Sequence, residues 1–226
     1  MDLTDLDYNI YLRAGQLVVV CLSLNVLLCA IYFRKLEVPL QRLSIFLLFN
    51  WIIEVAARIC AYSDINNLPL LHLYTLGEFI LFLWFYKSLF VRLEIFQKAF
   101  RPFAVIGTVL IVLNSVFIQN IYAFNPLAKT LVQLTIIALA VLYFYNLNSL
   151  QSSASGIYKS LRLINSAVLI YYSGSLFIFM CNQLFIDASE VYEIIWAFNA
   201  VLNLIFQLLV LWGLWIVVFK KAPSSS

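Results

Sequence analysis

A chain of 226 residues that is 64% hydrophobic, 16% aromatic and only 11% charged, with a mean hydropathy of +0.97, cannot be an ordinary soluble domain. Soluble domains are about 45–50% apolar and about 25% charged. The net charge of +3 is mildly basic, but the Lys and Arg sort to one side of the expected membrane and form no nucleic-acid-binding stripe, so nucleic acid is discounted as a partner and the lipid bilayer is expected.

The chain opens with Asp2, Asp5 and Asp7 and lacks the basic start of a cleaved signal peptide, so this end is expected to stay outside. A first spanning helix is predicted at about residues 14–33, closed by Arg34 and Lys35. The second, about 40–62, carries Asn50, Glu54 and Arg58, and the third, about 69–86, carries His72, Tyr74 and Glu78. A basic connection with Arg92, Lys98 and Arg101 leads to a fourth helix at about 102–121, and a tight turn leads to a fifth at about 126–147. The polar stretch 148–160 reads as a cytoplasmic loop, not a domain boundary. The sixth and seventh helices are predicted at about 161–186 and 191–219, followed by Lys220, Lys221 and a short tail.

Four of the five prolines, Pro39, Pro69, Pro102 and Pro126, stand where a helix is predicted to start, the position at which a missing N–H costs least. Every odd-numbered helix runs into a basic segment. With the N-terminus outside, 11 of the 14 Lys and Arg fall on the cytoplasmic side, the exceptions being Arg13, Arg58 and Lys129. The expected fold is therefore all-α: one seven-transmembrane-helix bundle over residues 1–226, N-terminus outside and C-terminus cytoplasmic, in the plasma (inner) membrane. No internal repeat and no four-residue glycine spacing stands out.

Polar residues within the apolar segments are the candidates for function, because a charge at the bilayer centre costs about 2.5–3.5 kcal/mol on insertion scales. Asn50, Glu54 and Arg58 share one helical face, and Glu54 with Arg58 at i, i+4 can neutralise each other. Glu78 has no sequence-local cation. It must stay protonated, see water or find a partner in space, and Arg58 lies at a compatible depth. His72, the only histidine, is expected to be a wet residue at a helix end. On the seventh helix Tyr192, Trp196, Asn199, Asn203 and Gln207 form a stripe, suited either to interhelical hydrogen bonding or to lining a cavity.

Several chemistries fail on residue supply. Glu54 to Arg58 resembles the Glu-x-x-x-Arg element of CAAX-type intramembrane proteases, whose adjoining second glutamate and additional histidine this sequence lacks. A dyad of His72 with Ser173 or Ser175 lacks the Gly-x-Ser-Gly setting of a rhomboid-like site, and one histidine is poor material for a zinc centre. Lys220 and Lys221 stand at the terminal boundary, too late for a retinal Schiff base. No metal and no cofactor is expected. Cys21, Cys29, Cys60 and Cys181 read as small buried hydrophobes, with a Cys60–Cys181 disulfide as the alternative for two of them.

The favoured expectation is a noncatalytic, receptor-like or sensory binding module. Its polar pocket would lie in the outer half, lined by Asn50, Glu54, Arg58, His72, Tyr74, Glu78, Trp196, Asn199 and Asn203, for a small polar or amphipathic ligand. Any signal would pass to a membrane protein partner. Alternatives are a small-solute or proton-coupled transporter using Glu78, a lipid-modifying enzyme, and a structural subunit of a membrane complex.

Overall fold

The computed structural model describes the backbone of residues 3–149, 156–185 and 189–219, and the side chains of 13–146, 156–180 and 194–219. Among these residues all regular structure is helical. The helices are α1 (Leu3–Tyr32), α2 (Val38–Tyr62), α3 (Leu68–Leu89), α4 (Glu94–Leu113), α5 (Pro126–Ser149), α6 (Gly156–Phe185) and α7 (Ser189–Phe219). A 3₁₀ turn, Phe33–Lys35, follows α1, and a π-helical turn, Asn114–Ile118, closes α4. Among the described residues, seven helices are long and apolar enough to cross a membrane. Their outward faces fit that solvent: Leu27, Ile31, Ile59, Val105, Phe177 and Trp212 are each more than half exposed, far more apolar surface than a soluble monomer shows.

Hydropathy located the helices but not all of their ends. A polar first turn extends a helix as readily as an apolar one, so α4 begins at Glu94 and α6 at Gly156, earlier than the apolar runs suggested. Pro102 is consequently inside α4, not at its start. Its ring leaves the Lys98 carbonyl without an intrahelical donor, which an exposed position tolerates. Pro39, Pro69 and Pro126 do stand at helix starts. The end of α2 is closed by Asp64 at φ 54°, with the Ile65 N–H reaching the Cys60 carbonyl at 2.9 Å, a left-handed cap that glycine usually makes.

The chain divides into two compact units, residues 1–32 with 140–226, and residues 33–139. In the first, α7 packs against both α1 and α6. Leu22 and Cys29 of α1, Ile164 and Val168 of α6, and Phe206 and Val210 of α7 are buried there, seven residues apart on α1 and four apart on α6 and α7. Asn25 on α1 donates from Nδ2 to both the backbone oxygen and Oε1 of Gln207 on α7, each at 3.0 Å, and Gln207 Nε2 donates to Asn203 Oδ1 at 3.3 Å. Gln207 of the α7 stripe thus acts across helices, and Asn203 bonds to it within α7.

In the second unit α3 packs between α2 and α4. Leu43, Phe46 and Leu47 of α2 and Phe79, Phe82 and Leu83 of α3 form its buried seam. Two glycines set the spacing. A Cβ on Gly77 would lie 2.2 Å from the Phe49 ring, and one on Gly107 2.2 Å from the Phe79 ring, so each glycine accepts an aromatic ring from the neighbouring helix.

Gly77→Ala is therefore expected to destabilise the protein by about 1–3 kcal/mol through overpacking. Phe49→Leu added to Gly77→Ala should recover part of that loss, read as non-additivity in thermal unfolding of the purified variants.

Candidate functional site

Glu78, Thr75, Asn125 and Lys129 of the second unit converge where the start of α5 meets α3. Glu78 is the eleventh residue of α3, and Lys129 is the fourth of α5. Lys129 Nζ donates to Glu78 Oε2 at 2.6 Å, with side-chain exposures of 1% and 0%. Lys129 Nζ also lies 4.4 Å from the centroid of the Tyr74 ring, and the Phe49 ring is parallel to Tyr74 within 3° at 6.4 Å. The ammonium is thus held by a carboxylate and an aromatic face.

Its own helix does not help it. The first turn of α5 presents unpaired N–H groups and the positive end of the helix dipole, which disfavour a cation. Glu78 must supply that compensation, and isolated carboxylate or ammonium burial would cost several kcal/mol. Around the pair, Asn125 Nδ2 donates to Thr75 Oγ1 at 3.1 Å, and Thr75 Oγ1 donates to the Leu71 carbonyl at 2.8 Å. Asn125 Oδ1 is buried without a hydrogen-bond partner, an acceptor in need of a donor. Gln133, one turn beyond Lys129 on the same face of α5, is fully buried.

His72 is buried at 4% exposure, not a wet helix-end residue as its position suggested, because the 119–125 connection and the end of α4 cover it. Its Nε2 lies 3.1 Å from the Ala123 carbonyl and its Nδ1 2.9 Å from Ser115 Oγ. A carbonyl only accepts, so we assign a proton to Nε2. Ser115 Oγ donates to the Ile111 carbonyl at 3.1 Å. The Ser115–His72 spacing would suit a nucleophile and base, but Ser115 stands where α4 ends and helix carbonyls gather, a poor place to stabilise an oxyanion. The contact therefore works as a latch between α3 and the α4–α5 connection. Asn66 strengthens it, donating to the Tyr122 carbonyl at 3.3 Å.

Glu54 and Arg58 pair at 2.9 Å along α2, as their spacing required, with side chains 37% and 36% exposed. Asn50 is half-buried on the same face. Of the three outcomes open to Glu78, a partner in space is the one found, and it is Lys129, a residue to which the sequence reading gives no role. Asn125 and Ser115 were also missed. Asn125, Lys129 and Gln133 recur every four residues at the start of an apolar helix, which is the signal that marks them.

Trp196, Asn199 and Asn203 belong to the other unit. There Asn203 accepts from Gln207, the Trp196 ring meets Phe179 edge-on at 5.6 Å, and Asn199 Oδ1 is buried without a hydrogen-bond partner. Among the described residues no group of three or more His, Cys, Asp or Glu could hold a metal ion, and Cys21, Cys29 and Cys60 form no disulfide with one another. The suggested Cys60–Cys181 pairing lies outside the described residues, since the side chain of Cys181 is not among them.

Among the described residues, seven apolar helices of spanning length are compatible with a multi-pass membrane protein. No protein-family model, curated protein or solved structure matches it.

Replacing Glu78 alone by Leu should cost about 3–5 kcal/mol, because Lys129 would be left buried and uncompensated. The double variant Glu78→Leu, Lys129→Met should recover most of that loss, measured as denaturation midpoints of the purified proteins.

Proposed function

We propose that the protein is a noncatalytic, receptor-like membrane binding protein that senses a small polar or amphipathic ligand through the Glu78–Lys129 pair. The observation that carries this proposal is a closed ion pair inside a membrane-class helical unit, beside the unsatisfied acceptor Asn125 Oδ1. Buried ion pairs add little net stability compared with apolar side chains of similar volume, so their retention calls for another role.

A ligand carboxylate or phosphate would compete for Lys129, and a ligand ammonium for Glu78. Either would unlock the start of α5 from α3, with Tyr74 retaining the lysine and Asn125 free to accept from the ligand. The positive-inside bias puts this end of α3 outside, so the ligand would arrive from the outer face. His72 and Ser115 would pass movement of the α4–α5 connection to α3, and a membrane protein partner would receive the signal.

The interior amides favour sensing over transport. Gln207 is tied to Asn25 and Asn203, and Asn165 donates to the Leu161 carbonyl of its own helix, so these groups serve packing and not a hydrated path.

The test uses the charge-swapped variant Glu78→Lys, Lys129→Glu, which preserves the pair but reverses its direction. In a thermal-shift screen of amphiphilic carboxylates, phosphates and amines, a ligand at 100 times its Kd should stabilise the native chain by about 2.7 kcal/mol. The swapped variant should keep its unliganded stability and lose that response. A swapped variant that responds as the native chain does, or a native chain that no compound in these classes stabilises, would refute the proposal.

A further inference from the structure

A second concentration of charge occupies the other end of the 33–139 unit, where the 3₁₀ turn, the start of α2, the end of α3 and the start of α4 lie. Seven basic residues belong to these segments, Arg34, Lys35, Arg42, Lys87, Arg92, Lys98 and Arg101, against two acidic ones, Glu37 and Glu94. Glu94 pairs with Lys98 at 3.6 Å on an open surface. Arg42 and Lys87 have no carboxylate within 4.0 Å among the described residues.

Aromatic rings and carbonyls hold those two cations instead. Arg42 Nη1 donates to the Trp84 carbonyl at 2.7 Å, with Cζ 5.0 Å from the Trp84 ring centroid, and Lys87 Nζ lies 4.3 Å from that of Phe100. Gln97 Nε2 donates to the carbonyls of Lys87 and Phe90, at 3.1 and 3.0 Å, which fixes the start of α4 against the end of α3. Arg42 is thus oriented on one side, while the rest of its planar set of donors remains for an anion. Val91 and Ile95, at 69% and 85% exposure, project beside Arg92 and Lys98. Exposed apolar tips among cations suit the boundary between headgroups and acyl chains.

We propose that this end of the unit binds anionic phospholipid headgroups of the bilayer the helices cross, with Arg42 as the phosphate-orienting residue. Arg92 and Arg101 add charge, and Val91 and Ile95 seat the surface. The inference depends on membrane insertion and is independent of the ligand proposed for Glu78 and Lys129. A basic end that served only to orient helices during insertion would show no lipid preference in the folded protein, and Arg42→Lys would be silent. Phosphate recognition by a guanidinium fork predicts otherwise.

The experiment reconstitutes the full chain in nanodiscs of equal parts phosphatidylglycerol and phosphatidylcholine and reads the lipids retained after release by native mass spectrometry. The native chain should retain phosphatidylglycerol preferentially. Arg42→Gln and Arg42→Lys should both reduce that enrichment, and each charge removed in Arg92→Gln, Arg101→Gln should lower it roughly fivefold, the scale for one basic residue at an anionic surface. The latter two side chains are exposed, so their replacement tests the proposal even if Arg42 variants misfold. Equal retention of the two lipids by the native chain, or enrichment unchanged in both exposed-arginine and folded Arg42 variants, would overturn it. Displacement of the retained lipid by inorganic phosphate at matched ionic strength would also overturn it, by assigning the site to a free anion.

Discussion

A lysine ammonium shut away from water needs a counter-charge, and Lys129 meets it on Glu78 at 2.6 Å. That single requirement ties the first turn of α5 to the middle of α3. The neighbouring contacts are then consistent with one register: Asn125 reaches Thr75, Tyr74 lies against the ammonium, and the connection ahead of α5 closes over His72. Moving α5 by one turn along α3 would part the ion pair and strand both charges, so the pair specifies alignment even where its net contribution to stability is small.

The two units handle interior polarity differently. In one, neutral amides link α1 to α7 and satisfy backbone and side-chain acceptors at modest desolvation cost. In the other, full charges are buried or half-buried, and each of three cations has an aromatic face beside it: Tyr74 for Lys129, Trp84 for Arg42 and Phe100 for Lys87. At Arg42 and Lys87 a ring supplies attraction without an added anion, so a cation held this way keeps a charge that can answer to a headgroup. Both proposed binding surfaces fall on the 33–139 unit, one at the middle of α3 and one at its C-terminal end.

The glycines serve the same arrangement. Gly77 admits Phe49, and Phe49 stacks on Tyr74, so the close approach of α2 to α3 also steadies the aromatic face against which the ammonium lies. Packing, aromatic support and charge pairing are therefore coupled through contiguous side chains, and a change at Gly77 can be felt at Lys129 without altering either charge.

The number, type and approximate span of the helices follow from the sequence itself, because about twenty consecutive apolar residues can satisfy their backbone and a lipid-like surroundings only as a helix. The Glu54–Arg58 pair was legible for a related reason: i, i+4 geometry is a property of one helix and needs no knowledge of its neighbours. Partnership across helices had no such local rule. Glu78 and Lys129 are 51 residues apart, His72 and Ser115 are 43 apart, and nothing in either neighbourhood names the other. Their meeting was decided by the rotation of α3 and by the closure of the α4–α5 connection, which are set by how ridges, rings and glycines pack, and only the tertiary structure carries that information.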